Sequence, residues 1–319
     1  MNWAGIFQYL GTDAPTNGLV WGILALGVFI TFRILDVADL SVDTLFTFTG
    51  MLSILFINNG VDPLVSILLS ILIGAAVGFL NAALHVYLKI PSLLAGIIVM
   101  VALYTPNVLI GGQITVNEDK STVFTILNQL FHNEIASDIV ILAVFMTALL
   151  FLLYWFFGTE LGLSIRATGK NIPMAKAQGI NTHRCYNLGM MISGGLVGLS
   201  GALFSQMNHS IPNTAGRGAI VIGLTIIFLG EVVLSPKSFK VSLVSILVGG
   251  ILYWIIMDFI ISLLSGIPNS SAYKDLIKAL LIVTVVSISV AKKKIQKKKN
   301  LKKNRLPLKT ESVEGSPND

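Results

Sequence analysis

Charge is scarce in this sequence. Aspartate, glutamate, lysine and arginine make up 12% of the 319 residues, against about a quarter in an ordinary soluble domain, while 54% are hydrophobic and the mean hydropathy is +0.80. Such a chain cannot cover a water-soluble fold with polar surface, and it reads as a polytopic membrane protein. Cysteine is almost missing: Cys185 stands alone, which excludes an intrachain disulfide and any cysteine metal cage. The four histidines, His85, His132, His183 and His209, lie in different segments with no i, i+4 pair, so no metal is expected through histidine. No G-x-x-x-x-G-K-S/T occurs, so the chain carries no phosphate-binding loop of its own. No constellation of nucleophile and base, or of metal ligands, can be assembled, which argues against an intramembrane enzyme. The first 17 residues lack a basic n-region, and no small-residue cleavage site follows the first apolar run. That run therefore reads as a retained span and not as a signal peptide.

What is abundant is apolar sequence in runs of about 18 residues or more, long enough to cross a hydrocarbon core of roughly 30 Å as helices. Nine spans are expected, near 18–37, 42–58, 63–88, 91–110, 137–157, 186–205, 218–234, 241–264 and 275–291. The fold class is accordingly all-α, with about nine transmembrane helices. Basic residues orient it. With the N-terminus outside, the inner loops hold Arg33, Lys89, Arg166, Lys170, Lys176, Arg184, Lys237 and Lys240, and the outer loops hold only Lys120, Arg217, Lys274 and Lys278. Ten more basic residues, from Lys292 to Lys309, also fall inside. Cytoplasmic loops retain lysine and arginine, so the expected orientation is N-out and C-in. The weakest span is 218–234, short and broken by Gly218, Gly223 and Gly230. Were it only re-entrant, the tail and the central loop would lie on opposite faces, and it is read as a span.

Polar residues within spans are costly and are candidates for function. Asn81, Asn107, Glu231 and Asp258 stand out. Asn81 and Asn107 read as interhelical hydrogen bonds or as substrate contacts, and Asp258 could meet a cationic amino group in a path. Glu231 sits at the inner exit of its span, where snorkelling or pairing with Lys237 would satisfy it. Arg217 reads as an outer-loop residue, available to a docking protein or to lipid phosphate. Gly74 and Gly78 with Ala82, and Gly194 and Gly198 with Ala202, form small-x-x-x-small stripes that allow close helix packing. The two stripes share G-x-x-V-G-x-x-x-A on spans of opposite direction, compatible with an inverted repeat or with chance. The basic tail, 292–319, reads as a topology anchor that also feels anionic lipid, not as a nucleic-acid site. Its far end is polar and expected to be disordered.

One polar stretch interrupts the apolar pattern, Gly158 to Arg184. Asn171 is a good N-cap, Pro173 suits a first helical turn and Gly179 is a natural stop. They frame a short helix, Ile172–Gln178, too short to be stable alone. It would present Ile172, Met174 and Ala175 in a frame of Lys170 and Lys176. From the residues alone, a solvated connector and a docking helix both remain open.

Gly162, Arg166, Ala167, Gly169, Asn171, Ala175, Gly179, Ile180 and Asn181 follow G-x-x-x-R-A-x-G-x-N-x-x-x-A-x-x-x-G-I-N. This resembles the cytoplasmic coupling loop of ABC importer permeases of the branched-chain amino acid and ribose type. Asp39-Leu-Ser-Val-Asp43 resembles the D-L-S/T-V element of the same superfamily. Val221 to Glu231, VIGLTIIFLGE, resembles a segment of the branch that accompanies tryptophan- and tyrosine-type binding proteins. The resemblance covers about residues 18–291. It implies an extracellular segment at 1–17, a permease domain at 18–291 with its coupling loop at 158–185, and the basic tail beyond. It also implies a non-enzymatic subunit in the bacterial plasma membrane, with no cofactor of its own. ATP and Mg would be bound by a separate ATPase subunit docked on Arg166, Gly169, Asn171, Ala175, Gly179, Ile180 and Asn181. A binding protein would deliver cargo from outside, and a second permease copy would complete a homodimer. Amino acids, aromatic ones first, are the favoured cargo, with sugars and nucleosides as alternatives. An ion-coupled carrier would call for buried carboxylates or histidine chains near the midplane, which this chain nearly lacks. A channel or scaffold would need no coupling helix.

Overall fold

The computed structural model describes residues 3–128, 134–263 and 274–304. Helix α1 (Trp3–Phe29) continues through one π-helical turn, Ile30–Ile34, and is followed by α2 (Val42–Asn58), α3 (Pro63–Val86) and α4 (Ser92–Ile110). Next come strand β1 (Gln113–Thr115), the short α5 (Val123–Asn128), α6 (Glu134–Phe156), α7 (Glu160–Lys170), α8 (Ile172–Ala177) and α9 (Thr182–Met207). Strand β2 (Ser210–Pro212), α10 (Ala219–Leu234), α11 (Phe239–Leu263) and α12 (Lys274–Asn304) complete the chain. Each expected span is met by an apolar helix. Six are long and apolar enough to cross a membrane by length and composition, while α2, α10 and the apolar part of α12, Leu276–Ser289, are shorter.

Three features differ from expectation, two boundaries and the purely helical class. Helix α1 is already continuous from Trp3, ahead of the span expected from residue 18. The tail is helical as far as Asn304, lysine being a good helix former; residues 305–319 lie outside the described residues. The fold is also not purely helical. β1 and β2 form an antiparallel ribbon, Gln113 opposite Pro212 and Thr115 opposite Ser210. Asn58 secures it by donating to the Thr115 carbonyl (2.9 Å) and accepting from Asn117 N–H (3.0 Å).

The centre of the bundle is the antiparallel pair α3 and α9, and glycine makes it possible. A Cβ on Gly74 would run into the carbonyl of Gly194, one on Gly78 into that of Met190, and one on Gly198 into that of Ser70. Lipid tails are as apolar as leucine, so helices associate here by close backbone contact and interhelical hydrogen bonds. The two matching stripes seen in the sequence are each other's packing partners. Helix α1 lies on the same scaffold: Ser193 donates to the Gly27 carbonyl (2.9 Å) and Ser200 to that of Val20 (2.8 Å). At one end of the bundle Gln206 ties three segments together. Its amide donates to Ser53 Oγ (3.1 Å), Ser66 Oγ (2.9 Å) and the Pro63 carbonyl (3.1 Å).

Two ends of the bundle can be told apart. One carries the β-ribbon, with Asn58, Pro63 and Met207 beside it. At the other, Arg33, Arg166, Lys170, Lys237 and Lys292 converge around a cavity of about 560 Å³. The end of α1, the central polar stretch, the α10–α11 connection and the base of α12 therefore share one face. The re-entrant alternative for 218–234 would have separated them. How α10 gets there is unexpected, because it begins halfway through the bundle.

Candidate functional site

At the basic end, the polar stretch folds into two helices where one was expected. Thr159 caps α7, and Asn171 stops α7 and caps α8, its Oδ1 accepting from Met174 N–H at 3.0 Å. Gly179 leaves α8 with φ +78°, a conformation that favours glycine. Asn181 then caps α9 by accepting from Arg184 N–H at 3.1 Å. Ile180 packs against the main core, and its N–H donates to the Ala175 carbonyl at 3.0 Å.

The seat of this unit is equally specific. Gly169 lies so close to the Ile34 carbonyl that a Cβ would overlap it, which fixes α7 on the π turn of α1. Arg166 stacks over the Phe239 ring at 4.7 Å, linking α7 to α11; such contacts contribute about 0.5–2 kcal/mol. Ala175 corrects an expectation: it is 1% exposed and faces the permease, not outward. The outward face consists of Ile172 (52% exposed), Met174 (58%) and Lys176. The α8 unit is thus an apolar tip in a basic frame, fixed to α1, α9 and α11.

Glu231 pairs with Arg33 and not with Lys237. The pair joins the π turn of α1 to the last turns of α10, and the Arg33 guanidinium also lies over the Phe228 ring at 5.4 Å. Removing one partner of a half-buried pair strands the other charge. Arg33→Gln is expected to cost about 1–3 kcal/mol, less than a fully buried pair because solvent screens it. Adding Glu231→Gln should recover part of that loss. The thermal midpoint of the purified variants in detergent checks both, and equal midpoints for the single and double variants would refute the coupling.

The second candidate region is the break between two short helices. Asp39, 4% exposed, accepts from Ser41 N–H (2.9 Å), Ser41 Oγ (2.6 Å) and Asn81 Nδ2 (2.8 Å), forming the turn that starts α2. One helical turn on, Asp43 caps a different helix. Its Oδ2 accepts from Gly218 N–H (2.9 Å) and its Oδ1 from Ile220 N–H (2.8 Å), the first donors of α10. Thr47 Oγ1 accepts from Gly216 N–H at 2.9 Å. At 1.5 Å per residue the junction lies about 22 Å along α2 from Asn58 and about 18 Å along α10 from Glu231. α2 and α10 therefore both start about midway between the ribbon end and the basic end of the bundle. The ribbon dips in beside α2, with Ile211 packed on Met51 and Ile54, and residues 213–218 complete the descent. Broken helices meeting at the midplane, with irregular backbone lining a cavity, are a recurring way to build a transport site.

Arg217 is an exposed turn residue, but the turn is set in along α2, away from the ribbon: its neighbours Gly216 and Gly218 are held on Thr47 and Asp43, and it lines a cavity of about 250 Å³ with Asp43 and Tyr104. The sequence signal for this region was the D-L-S-V-D element, legible as a motif but not as a cap on a helix 175 residues away. The proposed path residues divide. Asn81 holds Asp39, and Asn107 donates to the Thr44 carbonyl at 3.2 Å, so both flank the break. Asp258 lies on α11, which packs on α1, α6, α10 and α12, and is not brought to them.

Nine apolar helices among the described residues, a helix-break cavity at mid-depth and a short anchored helix at the basic end define a multi-pass membrane transport subunit. The chain belongs to the branched-chain amino acid transport system permease family, whose model matches residues 14–286. It is 36% identical over 248 residues to a tyrosine transport system permease protein of Clostridioides difficile, covering 78% of this chain and 82% of the relative. It is 25% identical over 272 residues to the ribose import permease RbsC of Escherichia coli K12, covering 83% and 81%. A nucleoside ABC transporter permease, NupC of Lactococcus lactis, is 27% identical over 186 residues, 53% of this chain and 57% of the relative. No solved structure matches. As an ABC-type permease the chain is a transport subunit of the cell membrane, of a family that works with ATPase and binding-protein partners.

Proposed function

We propose that this permease imports an amino acid, aromatic side chains preferred, with the basic end in the cytoplasm and the ribbon end outside. The carrying observation is the α8 unit: six residues, capped at both ends, anchored through Ala175 and presenting Ile172 and Met174. A helix so short and apolar at its tip gains by docking, and a separate ATPase is the partner the family supplies. Because α7 is seated on α1 and Arg166 on α11, movement of α8 is passed to the helices around the break. No cofactor is assigned to this chain, and ATP with Mg belongs to the partner.

A second copy of the chain completes the path. The α2, α4 and α10 face carries Asp43, Asn213 and Arg217 at mid-depth beside half-exposed Tyr104 (53%) and Val101 (60%). Charged groups at that depth do not face hydrocarbon. A homodimer that encloses a watered path along this face satisfies them. The cargo class follows the tyrosine-type relative, at 36% identity, over the ribose and nucleoside relatives at 25% and 27%.

Reconstitution with the cognate ATPase and binding protein in proteoliposomes tests the reading. ATP-dependent accumulation of labelled tyrosine, with little of ribose or adenosine, is expected. Accumulation driven by an ion gradient without ATP, or of ribose alone, would overturn it.

A further inference from the structure

We infer that the cavity at the helix break is a receptor for the charged backbone of an α-amino acid, with Arg217 taking its carboxylate and Asp43 its ammonium. The inference rests on the proposed path along the α2, α4 and α10 face and on the proposed amino-acid cargo, and adds to them the two groups that read its charged backbone.

Opposite charges line one small cavity without closing on each other. Among the described residues Arg217 makes no ion pair, ring contact or side-chain hydrogen bond, and it is not within pairing distance of Asp43. Arg217 is exposed and Asp43 half-buried in the single chain, so a ligand can reach both groups without first breaking a pair between them. Asp43 cannot move toward Arg217, because its two oxygens are pinned by Gly218 and Ile220 N–H. The two oxygens offer about four acceptor sites, and the N–H groups of Gly218, Ala219 and Ile220 surround them, which leaves room for one further donor from a ligand. The N-terminus of α10 is itself satisfied by Asp43 and is not the anion site; the guanidinium is.

The remaining walls fit the same ligand. Asn213 has no side-chain hydrogen bond within the described protein and adds an amide beside Arg217. A guanidinium can hold a carboxylate through two parallel bonds. Met100, Val101 and Tyr104 on α4 form the apolar side, and Tyr104 offers a ring face to an aromatic side chain. A neutral sugar or nucleoside would leave both charges uncompensated. The pair therefore discriminates against them within the permease, independently of the binding protein.

The test uses the permease with its ATPase subunit in proteoliposomes, without nucleotide. Cys185, the only cysteine, is replaced by alanine, and Thr44→Cys supplies a single thiol on the α2 wall of the cavity, leaving Tyr104 in place. Its rate of modification by a water-soluble methanethiosulfonate is measured alone and with millimolar L-tyrosine, tyramine, N-acetyltyrosine or ribose. The inference expects several-fold protection by L-tyrosine and none by tyramine, which lacks the carboxylate, N-acetyltyrosine, which lacks the ammonium, or ribose. Arg217→Gln in the same background should be modified at the same rate and lose the protection. A thiol that reacts but is not protected by tyrosine, or is protected equally by tyramine or ribose, overturns the receptor and leaves the path standing. A thiol that does not react at all overturns the path reading itself.

Discussion

Met174→Glu is expected to abolish ATP-driven uptake while leaving the permease folded. The side chain is 58% exposed on α8, so the free permease should change by no more than about 0.5 kcal/mol. In the complex, a carboxylate would be carried into an apolar seat on the ATPase, where an unpaired buried charge costs several kcal/mol. A penalty of about 3 kcal/mol weakens association more than about 100-fold. Co-purification with the ATPase and proteoliposome uptake check this together, with Met174→Leu as the silent control. Normal uptake by Met174→Glu would remove α8 from the contact. Ala175→Glu is the less informative change. Ala175 lies beneath α8, so a glutamate there would unseat the helix from the permease before any partner is met.

Gly194→Val is expected to destroy the fold rather than the coupling. The new side chain would enter the space of the Gly74 carbonyl, with the Gly78 Cα only 3.1 Å from its Cβ. Backbone cannot move aside as a flexible side chain does, so α3 and α9 would have to separate. Overpacking in a tight core costs about 1–3 kcal/mol, occasionally more, and a backbone clash belongs at the upper end. Against a total stability of about 5–15 kcal/mol, loss of a monodisperse species in size-exclusion chromatography is expected. Gly194→Ala should be milder but measurable. Gly112→Ala, where a Cβ meets nothing within 4 Å, should be neutral. A monodisperse Gly194→Val with an unchanged midpoint would mean that the α3–α9 contact is looser than described.

The caps and glycines of the polar stretch were legible because they act locally. Asn171, Gly179 and Asn181 do their work within three residues of themselves, so the short helix could be bounded to within one residue. The start of α7 at Thr159 was equally local and was missed, because the stretch was read as one connector. Side-chain direction was not legible. Six residues make less than two turns, and which of Met174 and Ala175 faces the permease depends on where α9 lies. Glu231 shows the same limit at longer range. Lys237 is near in sequence, but the partner came from a residue 198 positions away.

What the sequence determined by itself is the chemistry of each segment in isolation: scarce charge and long apolar runs demand membrane helices, paired glycine stripes demand close contact, and lysine and arginine gather on one side. What only the tertiary structure decided is depth and partnership. Two runs of ordinary apolar composition, α2 and α10, both begin inside the bundle because Asp43, in the first turn of α2, also caps the start of α10. Arg217, a loop residue by its neighbours in sequence, stands at mid-depth because Gly216 and Gly218 are hydrogen-bonded to α2. The physical reason is that hydropathy reports the solvent around a segment, whereas the depth of a break is set by which backbone donors a distant carboxylate satisfies.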